Sequence, residues 1–270
     1  MLASPMPPTD PAPVLLVLDT ATERLHIALS VPAAETAPGV SSGVAPALSQ
    51  VAVVAQELAG GAQASAGLLP ALQGLLREAG LGWPDVSAIA FGAGPGAFTG
   101  LRTACSVTQG LALGLGVPVI ALDTLMAVAE DARQRAEAPL PAGEVLWVLQ
   151  DARMGELYVG AFSWDGQRWA VHTQAALWPL GEPRARWAGR GEGVHVCGNA
   201  LSACPAAWEG FSPEDARVLS PDAMPRGAAL AELARRAWGR GEQVDPALAL
   251  PRYVRDKVAQ TTAERAAVQA

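Results

Sequence analysis

Residues 90–102 read AFGAGPGAFTGLR, the stretch of this 270-residue sequence that says most about the fold. An apolar run leads into three closely spaced glycines, and a helix is predicted to begin near Phe98 or Thr99. Glycines at such a strand-to-helix turn permit positive φ angles and close backbone approach, and a helix N-terminus attracts anions. The spacing matches neither the Walker A nor the Rossmann pattern. Two interpretations stay open: Gly94 and Gly96 face a phosphate, or the glycines only let the helix pack closely on the sheet.

Apolar runs and helical periodicity alternate along the first half of the chain. Strands are predicted at 14–18, 25–31, 51–56, 86–91 and 117–122, and helices at about 65–76, 99–115 and 124–136. Strands that alternate with helices imply an α/β sheet with right-handed crossovers. Pro70 falls inside the first helical pattern, where it either occupies the first turn or kinks the helix.

The second half of the chain opens with a pattern that is already present in the first. VLWVLQ at 145–150 matches VLLVLD at 14–19, and each run precedes a polar turn and a second strand. This weak repeat predicts two duplicated lobes, although chance similarity of two buried hairpins would give the same pattern. The predicted organisation is a disordered, proline-rich lead-in at 1–13, lobes at 14–138 and 139–250, a late helix at about 223–239 and a tail at 251–270.

Polar residues mark the turns that follow the two matching strands. DTATE at 19–23 places Asp19 and Thr20 where actin-like ATPases and sugar kinases direct an aspartate and a hydroxyl toward Mg²⁺ and phosphate. The alternative is that both side chains only satisfy turn amides. At the corresponding turn of the second half, Asp151 and Arg153 either pair across a cleft, contact a partner or form a plain surface ion pair, which contributes little.

Composition and spacing argue against several kinds of function. The net charge is −7 with no basic run, so any RNA is expected to be held mainly by another chain. The three cysteines lack CxxC spacing, and His26, His172 and His195 are isolated, so neither a disulfide framework nor a metal site is expected. No GxSxG nucleophile elbow is expected, because the one such string, GVSSG at 39–43, falls in a Pro-, Gly-, Ser- and Ala-rich stretch predicted to be a loop and not at a strand-to-helix turn. With no signal peptide or transmembrane run evident, the predicted location is the cytoplasm.

Several stretches together resemble the TsaB (YeaZ) family of tRNA threonylcarbamoyladenosine biosynthesis proteins. They are VLLVLDTATE at 14–23, AIAFGAGPGAFTGLR at 88–102, residues 109–112 and 119–124, and DARMG at 151–155. Their order and spacing fit over residues 14 to about 163. YVRDKVA at 253–259 is also similar to family C-termini, whereas residues 165–220 add little.

The resemblance implies an α/β fold of the actin/Hsp70/sugar-kinase-like (ASKHA) type, with two duplicated lobes of mixed sheets flanked by helices. It implies a non-catalytic subunit that works with the catalytic paralogue TsaD and the ATPase TsaE on adenosine 37 of ANN-decoding tRNAs. No cofactor is expected for this chain alone; ATP or ADP and the tRNA are expected to act through the complex. TsaD binds a metal through a helical HxxxH, whereas residues 63–70, QASAGLLP, contain no histidine, so no metal is expected here.

Two helices are predicted to supply the surface for TsaD and for self-association as a homodimer. The first carries more leucines than one side of a short helix needs for a core. The second has small residues every four positions, which allow two helices to approach closely, and the resemblance favours a second chain as their neighbour. The predicted interface residues are Leu68, Leu72, Leu75, Leu76, Phe98, Thr99, Arg102, Ala104, Thr108 and Ala112.

Two enzymatic alternatives remain. The first is an ATP-dependent phosphotransferase or ATPase that uses Asp19, Thr20 and the turn at Gly94 and Gly96. The second is an M22-like peptidase, a label that family members have carried. For that activity the sequence shows no nucleophile–base pair and no metal-binding motif.

Overall fold

The structure is a computed structural model that describes residues 12–32, 51–60, 64–189, 193–209, 211 and 215–255. The predicted disordered lead-in at 1–13 lies almost wholly outside these ranges, as do the residues of the predicted tail after 255. Within them the chain forms ten strands and six α-helices.

The strands and helices follow the predicted alternation closely in the first half of the chain. The strands are β1 Leu15–Asp19, β2 Arg24–Pro32, β3 Val51–Ala59, β4 Ala88–Gly92, β5 Val119–Leu122, β6 Val145–Asp151, β7 Glu156–Trp164, β8 Trp169–Pro179, β9 Val194–Cys197 and β10 Ala216–Ser220. The helices are α1 Ala64–Glu78, α2 Phe98–Leu115, α3 Thr124–Arg135, α4 Glu182–Trp187, α5 Ala200–Ala203 and α6 Gly227–Gly239. Pro70 lies within α1 rather than at its start.

Two five-stranded sheets share one topology. The first has the order β3-β2-β1-β4-β5, and the second has the order β8-β7-β6-β9-β10. In each, the first strand pairs antiparallel with the second and parallel with the fourth: β1 with β2 and β4, and β6 with β7 and β9. The prediction of two duplicated lobes with mixed sheets flanked by helices is therefore confirmed.

The helix that follows the last strand of each sheet crosses to the other lobe. α3 packs through Leu125, Val128 and Ala132 on the second sheet. α6 packs through Leu230 and Ala234 on the first. The two crossing helices also touch each other.

This exchange differs from the predicted lobe boundaries. The late helix, assigned to the second lobe at 139–250, belongs by packing to the first lobe, and it starts at Gly227 rather than at about 223. The helix returns because the inner face of the first sheet, with Leu15, Val17 and Ile120, would otherwise lie open to water. α6 therefore follows the second lobe in the sequence but packs with the first.

The leucines of α1 fill the outer core of the first lobe. Leu16 and Leu18 of β1 face α1 and α2, whereas the alternate residues of β1 face α6, as the period of a strand requires. All four predicted interface leucines are fully buried in this outer core: Leu68, Leu72, Leu75 and Leu76. The expectation that they form exposed apolar surface is therefore wrong, because β2 and α2 already cover them. A partner could reach only the other side of α1, where Leu69 is exposed.

The second lobe departs from the sequence prediction on its outer face. Neither β8 nor β10 was predicted, because β8 is an edge strand in which only Trp178 is buried and β10 is short. In place of two long helices, this face carries the short α4 and α5. A cluster of three tryptophan rings, from Trp147, Trp178 and Trp187, supplies much of the apolar cover with ring centroids 5.1–5.8 Å apart.

Candidate functional site

A cleft of about 660 Å³ lies between the two lobes. Its walls come from the β1–β2 turn, the first turn of α2, the β6–β7 turn and residues 252–255. The rings of Phe98, Tyr158 and Tyr253 and several aliphatic side chains make much of the lining apolar. This size and character suit a small organic ligand or a short chain segment.

Asp19 does not face this cleft. It is fully buried at the end of β1, where its carboxylate accepts hydrogen bonds from the Ala21 N–H (2.7 Å) and the Thr124 hydroxyl (3.2 Å). A Cβ atom on Gly92 of β4 would lie 1.6 Å from the Asp19 Oδ2, so only glycine leaves room for the carboxylate. The side chain is enclosed by its own lobe.

The β1–β2 turn and the glycine turn before α2 interlock. The Ala97 N–H donates to the Ala21 carbonyl (2.8 Å), and the Thr20 hydroxyl donates to the Gly100 carbonyl (2.6 Å). A Cβ on Gly100 would meet the Thr20 carbonyl oxygen at 1.8 Å, so any side chain there would force the turns apart. The glycines therefore allow the two turns to pack closely on each other, as well as α2 on the sheet.

The four residues predicted to face a nucleotide are not gathered at the cleft. Asp19 and Thr20 are buried, and the Gly94 N–H donates to the Thr124 hydroxyl (3.1 Å) inside the lobe. Of the four, only Gly96 reaches the cleft wall. The prediction and the geometry differ because the interlocked turns fill the space at the end of β1 where a phosphate would need to lie.

Burial controls the protonation of Asp19. Removal of the carboxyl from water raises its pKa to about 6, and the hydrogen bonds from Ala21 and Thr124 offset only part of that rise. The carboxylate is thus a costly group in the folded protein at neutral pH.

The matching turn of the second lobe does face the cleft. Arg153 pairs with the Asp151 carboxylate (3.0 Å) and with Glu23 of the β1–β2 turn across the mouth of the cleft. The Arg153 and Glu23 side chains are 65% and 81% exposed, so the pair contributes little stability. Arg153 and Met154 both have positive φ angles, of 61° and 58°.

The predicted partner residues of α2 divide into two groups. Ala104, Thr108 and Ala112 are fully buried against the helix's own lobe, so the expectation that they pack on a second chain is corrected. Thr99 and Arg102 are exposed and Phe98 is half-buried. The outward face of α2 is formed by other residues: Ser106, Gly110, Leu113 and Gly114.

The segment that follows α6 completes the site, and sequence reasoning missed it. The Arg252 N–H donates to the Ala93 carbonyl (2.7 Å), and residues 252–255 line the cleft. The only sequence signal was the likeness of residues 253–259 to family C-termini, of which 256–259 lie outside the described residues.

Over the ranges that the structure describes, no three His, Cys, Asp or Glu side chains come together as a set of metal ligands. None of the helices within the same ranges combines the length and apolar character needed to cross a membrane.

The sequence is similar to proteins named for threonylcarbamoyladenosine biosynthesis. The family model for TsaD, tRNA N6-adenosine threonylcarbamoyltransferase, matches residues 43–180. The Escherichia coli K12 tRNA threonylcarbamoyladenosine biosynthesis protein TsaB is 34% identical over 200 residues, which are 71% of this chain and 80% of that protein. The Haemophilus influenzae protein of the same name is 42% identical over 91 residues, 34% of this chain and 36% of that protein.

Two solved structures from Pseudomonas aeruginosa share the fold over nearly the whole chain. One is described as YeaZ; it has a TM-score of 0.67 at 31% identity and covers 89% of this chain and 99% of its own. The other is described as similar to peptidase YeaZ; it has a TM-score of 0.71 at 31% identity and covers 90% of this chain and 100% of its own.

Replacing Asp19 by Asn should stabilise the protein at pH 8. Burial raises the pKa of Asp19 from 3.8 to about 6 in the folded protein, so the carboxyl ionises more easily in the unfolded chain. The free energy of unfolding therefore falls as the pH rises from 3.8 through about 6. The gain for Asp19→Asn should be on the order of 3 kcal/mol at pH 8 and vanish near pH 4. Urea unfolding at both pH values measures it, with Glu137→Gln, at an exposed carboxylate, as the control. A variant less stable than the parent at pH 8 would contradict this account.

Proposed function

The chain belongs to the TsaB family, and we propose that it is a non-catalytic, cytoplasmic subunit that acts with TsaD and TsaE in threonylcarbamoyl transfer to adenosine 37 of tRNA. A relative that matches 71% of its length carries the name of a threonylcarbamoyladenosine biosynthesis protein. This chain then acts in the same pathway, and TsaD catalyses the transfer.

The interlocked turns are the observation that best supports a role without catalysis. A phosphotransferase needs a carboxylate that meets Mg²⁺ and backbone amides that meet phosphate. Here the Asp19 carboxylate is enclosed, and the Ala97 N–H at the start of α2 is taken by the Ala21 carbonyl. These contacts argue against the phosphotransferase alternative. Nothing in the geometry of the described residues favours the peptidase alternative over the non-catalytic role.

The charges around the cleft support binding of tRNA through the complex rather than by this chain alone. Four of the arginines that line the cleft are paired with carboxylates at 4 Å or less: Arg24 with Glu57, Arg153 with Glu23 and Asp151, Arg252 with Asp123, and Arg255 with Glu156. A phosphate backbone would have to compete with each carboxylate for its arginine. In a chain of net charge −7, RNA affinity must then come largely from a partner.

The outward face of α2 is the surface that we assign to TsaD and to self-association. Gly110 and Gly114 lie inside the helix, and a Cβ atom at either position would have nothing within 4 Å, so no contact within the chain requires glycine there. Each glycine in a helix interior costs about 1 kcal/mol relative to alanine. Beside them Leu113 is 63% exposed. A second chain that packs closely on this face explains both the glycines and the exposed leucine. Thr99 and Arg102 lie at the N-terminal end of α2, beside the same face.

The activity assay separates this proposal from a catalytic role. Purified chain, threonylcarbamoyl-AMP and unmodified tRNA should give no modified nucleoside, whereas addition of TsaD and TsaE should give it. TsaD with TsaE but without this chain is the matched control and should be strongly impaired. Modified nucleoside formed without TsaD would contradict the non-catalytic role, and full activity without this chain would contradict its requirement.

The α2 surface is tested by two substitutions at one position. Gly110→Ala should raise the free energy of unfolding by up to about 1 kcal/mol, because alanine favours the helix. Gly110→Arg should keep the fold yet weaken binding to TsaD about tenfold or more, since the larger side chain blocks close approach. Calorimetry of TsaD binding and light scattering of the chain alone give the affinity and the oligomeric state. Unchanged affinity and unchanged self-association for Gly110→Arg would place both interfaces elsewhere.

A further inference from the structure

Residues 249–255, which we call the strap, run from the side of α2 that carries Cys105 and Gln109 to the mouth of the cleft. The strap begins at the buried Ala249, whose carbonyl accepts hydrogen bonds from the Gln109 side-chain amide (3.0 Å) and the Cys105 thiol (3.3 Å) of α2. It therefore leaves α6 and joins a second element of the first lobe before it reaches the cleft.

The middle of the strap is fixed to the first lobe. The Arg252 N–H donates to the Ala93 carbonyl (2.7 Å). The Tyr253 hydroxyl accepts from the Arg102 Nε (3.1 Å), and its ring centroid lies 5.1 Å from that of Phe98. The Arg102 guanidinium lies 3.9 Å over the same Phe98 ring. A backbone hydrogen bond and a three-residue aromatic–cation cluster thus hold this anchor.

The end of the strap is fixed to the second lobe. The Arg255 guanidinium donates to the Ala152 carbonyl (3.1 Å), to the Arg153 carbonyl (3.4 Å) and to the Glu156 carboxylate, all at the β6–β7 turn. Its side chain is only 16% exposed. Charge-assisted hydrogen bonds of this kind, shielded from water, are stronger than the exposed Arg153–Glu23 pair at the same mouth.

We propose that the strap is a clamp that holds the two lobes together and sets the width of the cleft. Only two residues lie between the Arg252 anchor and the Arg255 anchor, and the three residue steps that join them span at most about 11 Å when fully extended. Neither lobe can therefore swing away at this mouth while both anchors hold. Opening of the cleft requires release of the first-lobe anchor, at both Arg252 and Tyr253, or of Arg255 from the β6–β7 turn. It also breaks the hydrogen bond that the Tyr158 hydroxyl donates to the Gly96 carbonyl across the cleft (3.3 Å).

Hydrogen exchange of the full-length Arg255→Ala variant tests the clamp. Loss of the second-lobe anchor should speed exchange of the Glu156 N–H by about tenfold or more. Because a clamp links its ends, exchange of the Arg252 N–H in the other lobe should also speed up. Spin labels at the exposed Gln73 of α1 and Gln174 of β8, in a Cys204→Ser background, should report a broader interlobe distance distribution. Amides of β1 and β4 should stay protected.

Three further variants distinguish a clamp from a local effect of the substitution: two are controls and one tests the first-lobe anchor. Glu23→Gln breaks the exposed pair at the same mouth and should leave exchange and distance unchanged, and so should Leu250→Ala on the exposed side of the strap. Tyr253→Phe loses the bond from Arg102 and should give a weaker version of the Arg255→Ala effect, which keeps the test valid if Arg255→Ala does not fold. Faster exchange confined to the β6–β7 turn, with an unchanged interlobe distance, would overturn the proposal.

Discussion

The Thr20–Ala21 turn packs directly against the glycine turn before α2, and both the burial of Asp19 and the shape of the cleft follow from this contact. It joins the end of β1 to the start of α2 through a hydrogen bond from the Thr20 side-chain hydroxyl to the Gly100 carbonyl (2.6 Å) and one from the Ala97 N–H to the Ala21 carbonyl (2.8 Å). Gly100 is required because a Cβ would strike the Thr20 carbonyl. The same contact encloses Asp19 and positions Phe98 and Arg102 beside the cleft. Packing in the first lobe and the chemistry that the cleft can support therefore have one cause.

Duplication explains the architecture, and the differences between the copies explain the asymmetry of the molecule. Both sheets have one topology, and each receives its inner helix from the other lobe, so α3 and α6 bind the lobes together. The outer faces differ. The first sheet is covered by α1 and α2, which leave the outward face of α2 free for a partner, whereas the second is covered largely by tryptophan rings and two short helices. The first lobe thus carries the long helix whose outward face we propose as the partner surface.

Local signals were enough to predict much of the fold from the sequence. Strands β1, β2 and β4 and helix α2 were predicted because their apolar runs and glycine turn act over a few residues, and the repeat at 145–150 predicted the second lobe. The return of α6 to the first sheet, the unpredicted β8 and the strap depend on contacts between distant residues, which periodicity does not encode. The leucines of α1 illustrate the same limit of sequence reasoning, because a stripe of leucines has the same sequence pattern whether it faces a partner or its own sheet. At the site, the sequence identified the right turns but not their mutual packing, which decides whether Asp19 meets solvent.

Calorimetric titration of the purified chain with Mg²⁺-ATP measures whether the interlocked turns exclude a nucleotide phosphate. We expect no saturable heat at ligand concentrations up to about 1 mM, which corresponds to binding weaker than about −4 kcal/mol. Saturable one-to-one binding with a Kd in the micromolar range, lost on substitution of Asp19, would show that the turns do hold a phosphate and would restore the phosphotransferase alternative.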